Sequence, residues 1–231
     1  MFDWFQIQRL KKAKNLPDAF AEYLNTYDQL PAKGDLWESL RMVVFDTETT
    51  GLKIETDRIL SIGAVAVEGG QIVIGDSYEV LVSQGEPQTH EAIPVHGIIP
   101  SDVRQRGILE AEAMSSFLSY IKADVLIAHH VNFDAGIVNR ALRRQFHPQA
   151  FLFNHVVDTA SVARKLEHPH RPHSYIDHKQ YSLDALCDRY HISMEDRHTA
   201  WGDAMITAKL LLQLLYKARS EGKISLRWLM R

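Results

Sequence analysis

The stretch "VVFDTETTGL" (Val43–Leu52) sets two carboxylates, Asp46 and Glu48, two residues apart at the end of an apolar run. If that run is a strand, the two-residue period of β-structure puts both acids on one face at its C-terminal end. Like charges placed there raise one another's pKa and cost stability unless a cation lies between them. A hard divalent ion such as Mg²⁺ or Mn²⁺ is the simplest partner for such oxygen ligands. A solvated pair at a strand end is the competing reading, because one Asp-x-Glu is expected about once by chance in such a chain.

Two more acids sit at the ends of apolar segments. In "LIAHHVNFDAGIVNR", Asp134 follows a short apolar strand and opens a helix. A carboxylate there also serves as a helix cap or dipole partner. In "EDRHTAWGDAMITAKLL", His198 just precedes the last long helix, and Asp203 shares a face with Ile206, Thr207 and Leu210. An acid directed toward the core is costly unless paired or metal-bound. Histidine accepts a proton near neutral pH, although a lone histidine is also a common surface or capping residue.

The elements that must position these groups can be read from periodicity. Residues 1–40 predict a separate helical extension: Phe20, Tyr23, Leu24 and Tyr27 form a helical stripe that "LPAKGD" breaks. Arg9, Lys11, Lys12 and Lys14 lie among Phe2, Trp4, Phe5 and Ile7, which suits either a packed helix with a basic outer face or a partner-binding or membrane-surface helix. From Arg41 the pattern turns to strands, "MVVFDTE", "ILSIGAVAVEGG" and "QIVIGDSYEVLVS", with "EGGQ" as a hairpin signal between the last two. A loop rich in Pro and Gly follows, then a helix with Ser101 as N-cap and "LEAEAMSSFLSYIKA". "DVLIAHH" and "FNHVVDT" are further strands, with helices "FDAGIVNRALRRQF", "SLDALCDRYH" and "AWGDAMITAKLLLQLLYKAR" around them. Three antiparallel strands followed by strand–helix alternation predict an α/β fold, a mixed sheet flanked by helices. Strands this continuously apolar predict burial on both faces.

The chain has 231 residues and a formal net charge of −3, so no basic excess announces a nucleic-acid partner. The single cysteine, Cys187, excludes an internal disulfide and fits a reducing, cytoplasmic setting. The N-terminus lacks an export-type apolar core, and no run of apolar residues is long enough to span a membrane. His168, His170, His173 and His178 are irregularly spaced among prolines and read as a polar loop rather than a metal tract. The basic residues of 219–231 read as a solvated tail, and Arg140, Arg143 and Arg144 as contacts for a strand or for water.

In order, "VVFDTETTGL", "LIAHHVNFDAGIVNRAL" and "HTAWGDAMITAKLL" resemble the three motifs of the DEDDh 3′–5′ exonucleases, typified by the proofreading epsilon subunit of bacterial DNA polymerase III. The resemblance covers about residues 41–216, with "VHGI" (Val95–Ile98) and "YSLDALC" (Tyr181–Cys187) as further landmarks. It implies an RNase H-like fold over an exonuclease domain of residues 41–218. It also implies that Asp46, Glu48, Asp134 and Asp203 bind two Mg²⁺ or Mn²⁺ ions and that His198 is the general base. Two ions about 3.5–4 Å apart would activate water and stabilise the charge on both reacting oxygens. Thr49, Gly51, Leu52, His96 and Phe133 would hold the terminal nucleotide, stacking being tolerant of sequence. The implied substrate is the single-stranded or frayed 3′ end of DNA, with RNA the close alternative, a polymerase as a partner, and a non-catalytic binding module as the contrary class. The sequence departs from the family pattern at His130, where Asn is usual, at Val131, where a small residue is common, and at Trp201, where Leu is common. None of these departures removes a ligand.

Overall fold

Strand β1 (Arg41–Thr49) carries apolar side chains on both parities, and the two sets enter different cores. Met42 and Val44 face one helical layer, whereas Val43 and Phe45 face the other. In this computed structural model, which describes residues 4–84, 103, 105–169 and 177–230, β1 lies inside a six-stranded mixed sheet of order β4-β3-β2-β1-β5-β6. It pairs antiparallel with β2 (Ile59–Glu68) and parallel with β5 (Val125–Ala128). Strand β3 (Gln71–Ser83) pairs antiparallel with β2, and β6 (Val156–Asp158) pairs parallel with β5.

Consecutive glycines with positive φ, Gly69 at 57° and Gly70 at 78°, close the β2–β3 hairpin. That backbone matches the twist of the strands it joins and is open mainly to glycine. The sheet is the mixed α/β architecture the sequence predicts. Three details differ. A two-residue strand β4 (Ile108–Leu109) adds parallel to β3. The last strand is shorter than "FNHVVDT". Unlike β1, β2 and β5, β3 is only partly buried, because it lies toward the sheet edge with little covering it.

One face of the sheet is covered by α3 (Glu110–Ile121) and α4 (Val131–Gln145), with α2 (Asp18–Asn25) packed on α3 and α1 (Trp4–Lys11) on α2. Ile7, Leu10, Phe20, Tyr23 and Leu24 are buried there, so the N-terminal segment is packed onto this helical layer. The Tyr23 hydroxyl fixes it further, donating to Asn154 Oδ1 at 2.5 Å and accepting from Phe153 N at 3.0 Å. Arg144 on α4 pairs with the buried Glu110, which commits it to the fold rather than to water or a strand.

The other face carries α5 (Thr159–Glu167), α6 (Leu183–Tyr190) and α7 (Ala200–Ala218), followed by α8 (Leu226–Leu229). The expected solvated tail is corrected here: Ile224, Leu226 and Leu229 are buried. Leu226 N and Arg227 N donate to the Asp35 and Lys33 carbonyls at 2.9 and 2.7 Å. Apolar residues spaced between the lysines and arginines supply the reason, since their burial outweighs solvation of the charges around them.

Gly63 on β2 lies directly opposite Asp46. A Cβ at Gly63 would fall 2.2 Å from the Trp201 backbone nitrogen and 2.3 Å from the Ala200 carbonyl carbon. The first turn of α7 therefore rests on bare strand backbone, which no other residue type would permit. This contact sets Asp203 against the end of β1.

Candidate metal centre

The parity of β1 extends into the site. Asp46 and Glu48 continue the face of Met42 and Val44, toward α7, while Thr47 and Thr49 continue the face of Val43 and Phe45, toward α4. A register shift between Glu48 and Thr49 ends the regular pairing with β2, as bulges beside functional sites do. From α7 comes Asp203, and one carboxylate oxygen from each of Asp46, Glu48 and Asp203 lies within 4.8 Å of the others. Among the described residues this is the one grouping of three His, Cys, Asp or Glu side chains so arranged.

Asp134 approaches β1 from the opposite face. Its Oδ1 accepts from Thr47 N at 3.0 Å and from Thr47 Oγ1 at 2.7 Å. It is buried and close enough that its charge acts on Asp46, yet it stands outside the cluster of three. The sequence reading placed it near the site without seeing Thr47 as its anchor.

His198 is exposed, on a loop with three non-glycine residues in the left-handed region, His191 at φ 55°, Asp196 at φ 60° and His198 at φ 67°. Such residues persist when the surroundings over-determine them. Thr199 caps α7, its Oγ1 accepting from Gly202 N at 3.0 Å and donating to the Asp196 carbonyl at 2.8 Å. Gly202 leaves room for the fold-back, since a Cβ there would sit 2.0 Å from the Asp196 carbonyl oxygen. His198 N donates to Asp203 Oδ1 at 3.4 Å, which ties the histidine to the cluster through its backbone.

Arg197 was not singled out in the sequence, because an arginine beside a histidine in a polar loop looks like any solvated residue. Its Nη1 donates to Asp203 Oδ2 and its Nε to Asp184 Oδ1, the latter at 2.8 Å. Asp57 was also missed. It organises the turn after β1 by accepting from Lys53 N at 2.6 Å and Thr50 Oγ1 at 3.0 Å, and its carboxylate fills the space beside Gly51. Thr49 Oγ1 donates to the Gly51 carbonyl at 2.6 Å. On that turn Leu52 is 85% exposed, so core packing does not explain it. Phe133 is half-buried at the start of α4. His96, Val95–Ile98, Ser101, His170 and His173 lie outside the described residues.

Behind the site, His129 is a structural residue. Its ring lies 2.9 Å from Thr159 Oγ1 through Nδ1 and 2.9 Å from the Tyr181 carbonyl through Nε2, and burial lowers its pKa to about 4. Next to it, His130 N donates to Asp158 Oδ1 at 2.8 Å, joining the loop before α4 to the N-cap of α5.

All four carboxyls hold their protons above the usual range. For Asp46 the main cause is burial, followed by the charges of Asp134, Asp203 and Glu48, against which Arg197 acts. Burial, then Asp203, raises Glu48 to about 7. Burial also raises Asp134 to about 7 despite the two Thr47 hydrogen bonds, and raises Asp203 despite Arg197. Hard oxygen donors that cannot all ionise unaided fit a divalent cation. A group whose pKa is raised by folding stabilises the fold at low pH, and this contribution drains away as pH rises through the folded value. In EDTA, Glu48→Gln should therefore gain stability over the wild type progressively between about pH 4.5 and pH 7. Paired thermal melts across that window check this, and a difference that stays constant with pH would refute it.

A mixed sheet with acids gathered where the end of its central strand meets a helix N-terminus defines a class of phosphodiester-cleaving enzymes, and the comparisons agree. The exonuclease family model (RNase T) matches residues 43–211, and the chain belongs to this family of hydrolytic nucleases. Its DEDDh-type motifs stand in order within that span. The DNA polymerase III epsilon subunit of Buchnera aphidicola is 32% identical over 180 residues, covering 74% of this chain and 71% of that protein. The PolC-type DNA polymerase III of Bacillus subtilis is 33% identical over 187 residues, covering 81% of this chain but only 12% of the polymerase, so the chain spans a small part of that relative. Among solved structures, E. coli exonuclease I bound to a dT13 oligonucleotide has a TM-score of 0.65 at 18% identity, covering 79% of this chain and 42% of that one. Exonuclease X bound to 5′-overhanging duplex DNA has a TM-score of 0.58 at 23% identity, covering 81% and 97%. At those identities the structural likeness speaks for the fold. Among the described residues no helix is long and apolar enough to cross a membrane.

Proposed function

We propose that this chain removes nucleoside monophosphates from the 3′ ends of single-stranded or frayed DNA, residues 41–218 forming the catalytic unit. The observation that carries the reading is the convergence of Asp46, Glu48 and Asp203 within 4.8 Å, beside a histidine tied to Asp203. Asp46, Glu48 and Asp203 would hold two divalent ions, Mg²⁺ or Mn²⁺, together with the oxygen of Asp134 that Thr47 leaves unengaged. Bound ions of this kind supply a nucleophile at neutral pH and offset charge on the phosphate. His198, exposed and fixed at its backbone, takes the proton from the attacking water. Leu52, on the turn that Thr49 and Gly51 form, offers an apolar surface to the terminal base, and Phe133 and His96 are assigned to the 3′ end and the terminal sugar.

DNA is favoured over RNA by the relatives, which are named for DNA polymerases, and by the neighbours solved with DNA. The same relatives support a polymerase as partner, since the PolC chains carry the matching segment within a polymerase. The deciding experiment is a time course on 3′-labelled and 5′-labelled single-stranded and tailed duplex oligonucleotides of DNA and RNA, with Mn²⁺, Mg²⁺ or EDTA. Stepwise shortening of 5′-labelled single-stranded DNA, metal-dependent and faster than RNA, is the expected result. Faster trimming of RNA would transfer the activity to RNA ends, and cleavage that survives EDTA would remove the metal from the reading.

A further inference from the structure

Asp203 is buried, and both of its carboxylate oxygens already have nitrogen partners, Arg197 Nη1 on Oδ2 and His198 N on Oδ1. Arg197 is half-buried, and its guanidinium touches one member of a cluster of three acids. Its Nε is held at the same time by Asp184 on α6, at 2.8 Å, whose side chain is more than half exposed. The arginine thus spans a buried acid and a solvated one. Cys187, also on α6, is buried in the core shared with α7, so α6 gives Asp184 a firm base.

We infer that Arg197 is an internal counter-ion that occupies Asp203 when no metal is bound and that a divalent cation must displace or repel to enter the cluster. The inference rests on the proposed metal site. Three carboxylates this close repel one another, and a guanidinium fork on one of them relieves the repulsion in the way a metal ion would. Its charge then opposes a second cation arriving at the same acids. The exposed Asp184 keeps the displaced guanidinium at the rim, because its bond to Nε does not depend on Asp203. The exchange occurs between ion pairs, with no change in covalent structure. It makes metal loading weaker than the bare carboxylates would give and spares the metal-free fold an unpaired buried charge.

Removing the charge should therefore strengthen metal binding while weakening the metal-free fold. The test is Mn²⁺ titration by calorimetry on wild type, Arg197→Gln and Arg197→Lys without substrate, with thermal melts in EDTA and in saturating Mn²⁺. Arg197→Gln should bind Mn²⁺ roughly tenfold more tightly than wild type, with a lower melting temperature in EDTA and a smaller deficit in Mn²⁺. Arg197→Lys keeps the charge and should stay near wild type in affinity. Unchanged or weaker Mn²⁺ binding by Arg197→Gln overturns the inference, since the arginine would then be supporting the metal ligands rather than competing with metal. Absence of Mn²⁺ binding by the wild type would instead overturn the metal site itself.

Discussion

Asp46→Asn is expected to lower the rate of hydrolysis at least about 10³-fold with little change in substrate binding. The amide keeps the size of the carboxyl and loses the charge. Asp46 stands on the central strand, paired across β2 with Gly63 and facing Asp203, and Asp134, Asp203 and Glu48 all disfavour its ionised form. Burial and three neighbouring acids thus make Asp46 depend on a cation, so removing its charge should be costly. The fold should not suffer. Losing a partly buried charge that is repelled by three neighbours should leave the melting temperature in EDTA equal to or above that of the wild type. Single-turnover cleavage beside melting curves checks both halves. A variant that retains more than about a tenth of the wild-type rate would show that the acids of β1 serve structure rather than chemistry.

The second large effect is expected at His198. His198→Ala should slow cleavage by about 10²–10³-fold, the range typical of a lost general base, while DNA affinity in Ca²⁺ or EDTA changes little. The separation follows from placement. The imidazole is exposed, and the interaction that ties the residue to Asp203 comes from its backbone nitrogen, which alanine retains. The cap at Thr199 and the close fit at Gly202 also persist, so the left-handed backbone at position 198 keeps its supports. Comparable losses in rate and in affinity would instead make His198 a binding residue.

These predictions use groups that differ in how far the sequence discloses them. The period of two along β1 requires Asp46 and Glu48 to share a face, whatever the fold around them. Helical periodicity likewise directs Asp203 inward from α7, and a carboxylate so placed demands a partner. The order and kind of the strands follow from apolar runs and turn residues, which act over a few neighbours. Local rules of this sort fix a side chain relative to its own element.

They do not say which element it meets. Asp134 reads as one more acid of the set, yet α4 packs on the other face of β1, and Thr47 receives it there. Arg197 gains meaning only because α6 and α7 bring Asp184 and Asp203 to its two ends. Leu52 and Leu226 are both leucines in polar surroundings, one 85% exposed and the other fully buried. Their difference lies in whether distant chain arrives to cover them. Periodicity is a property of adjacent residues, whereas the pairing of faces depends on contacts between segments far apart in sequence. The sequence by itself therefore determined the acids, their facing and the family they belong to. The tertiary structure decided which of them converge, and which cation of the chain already stands among them.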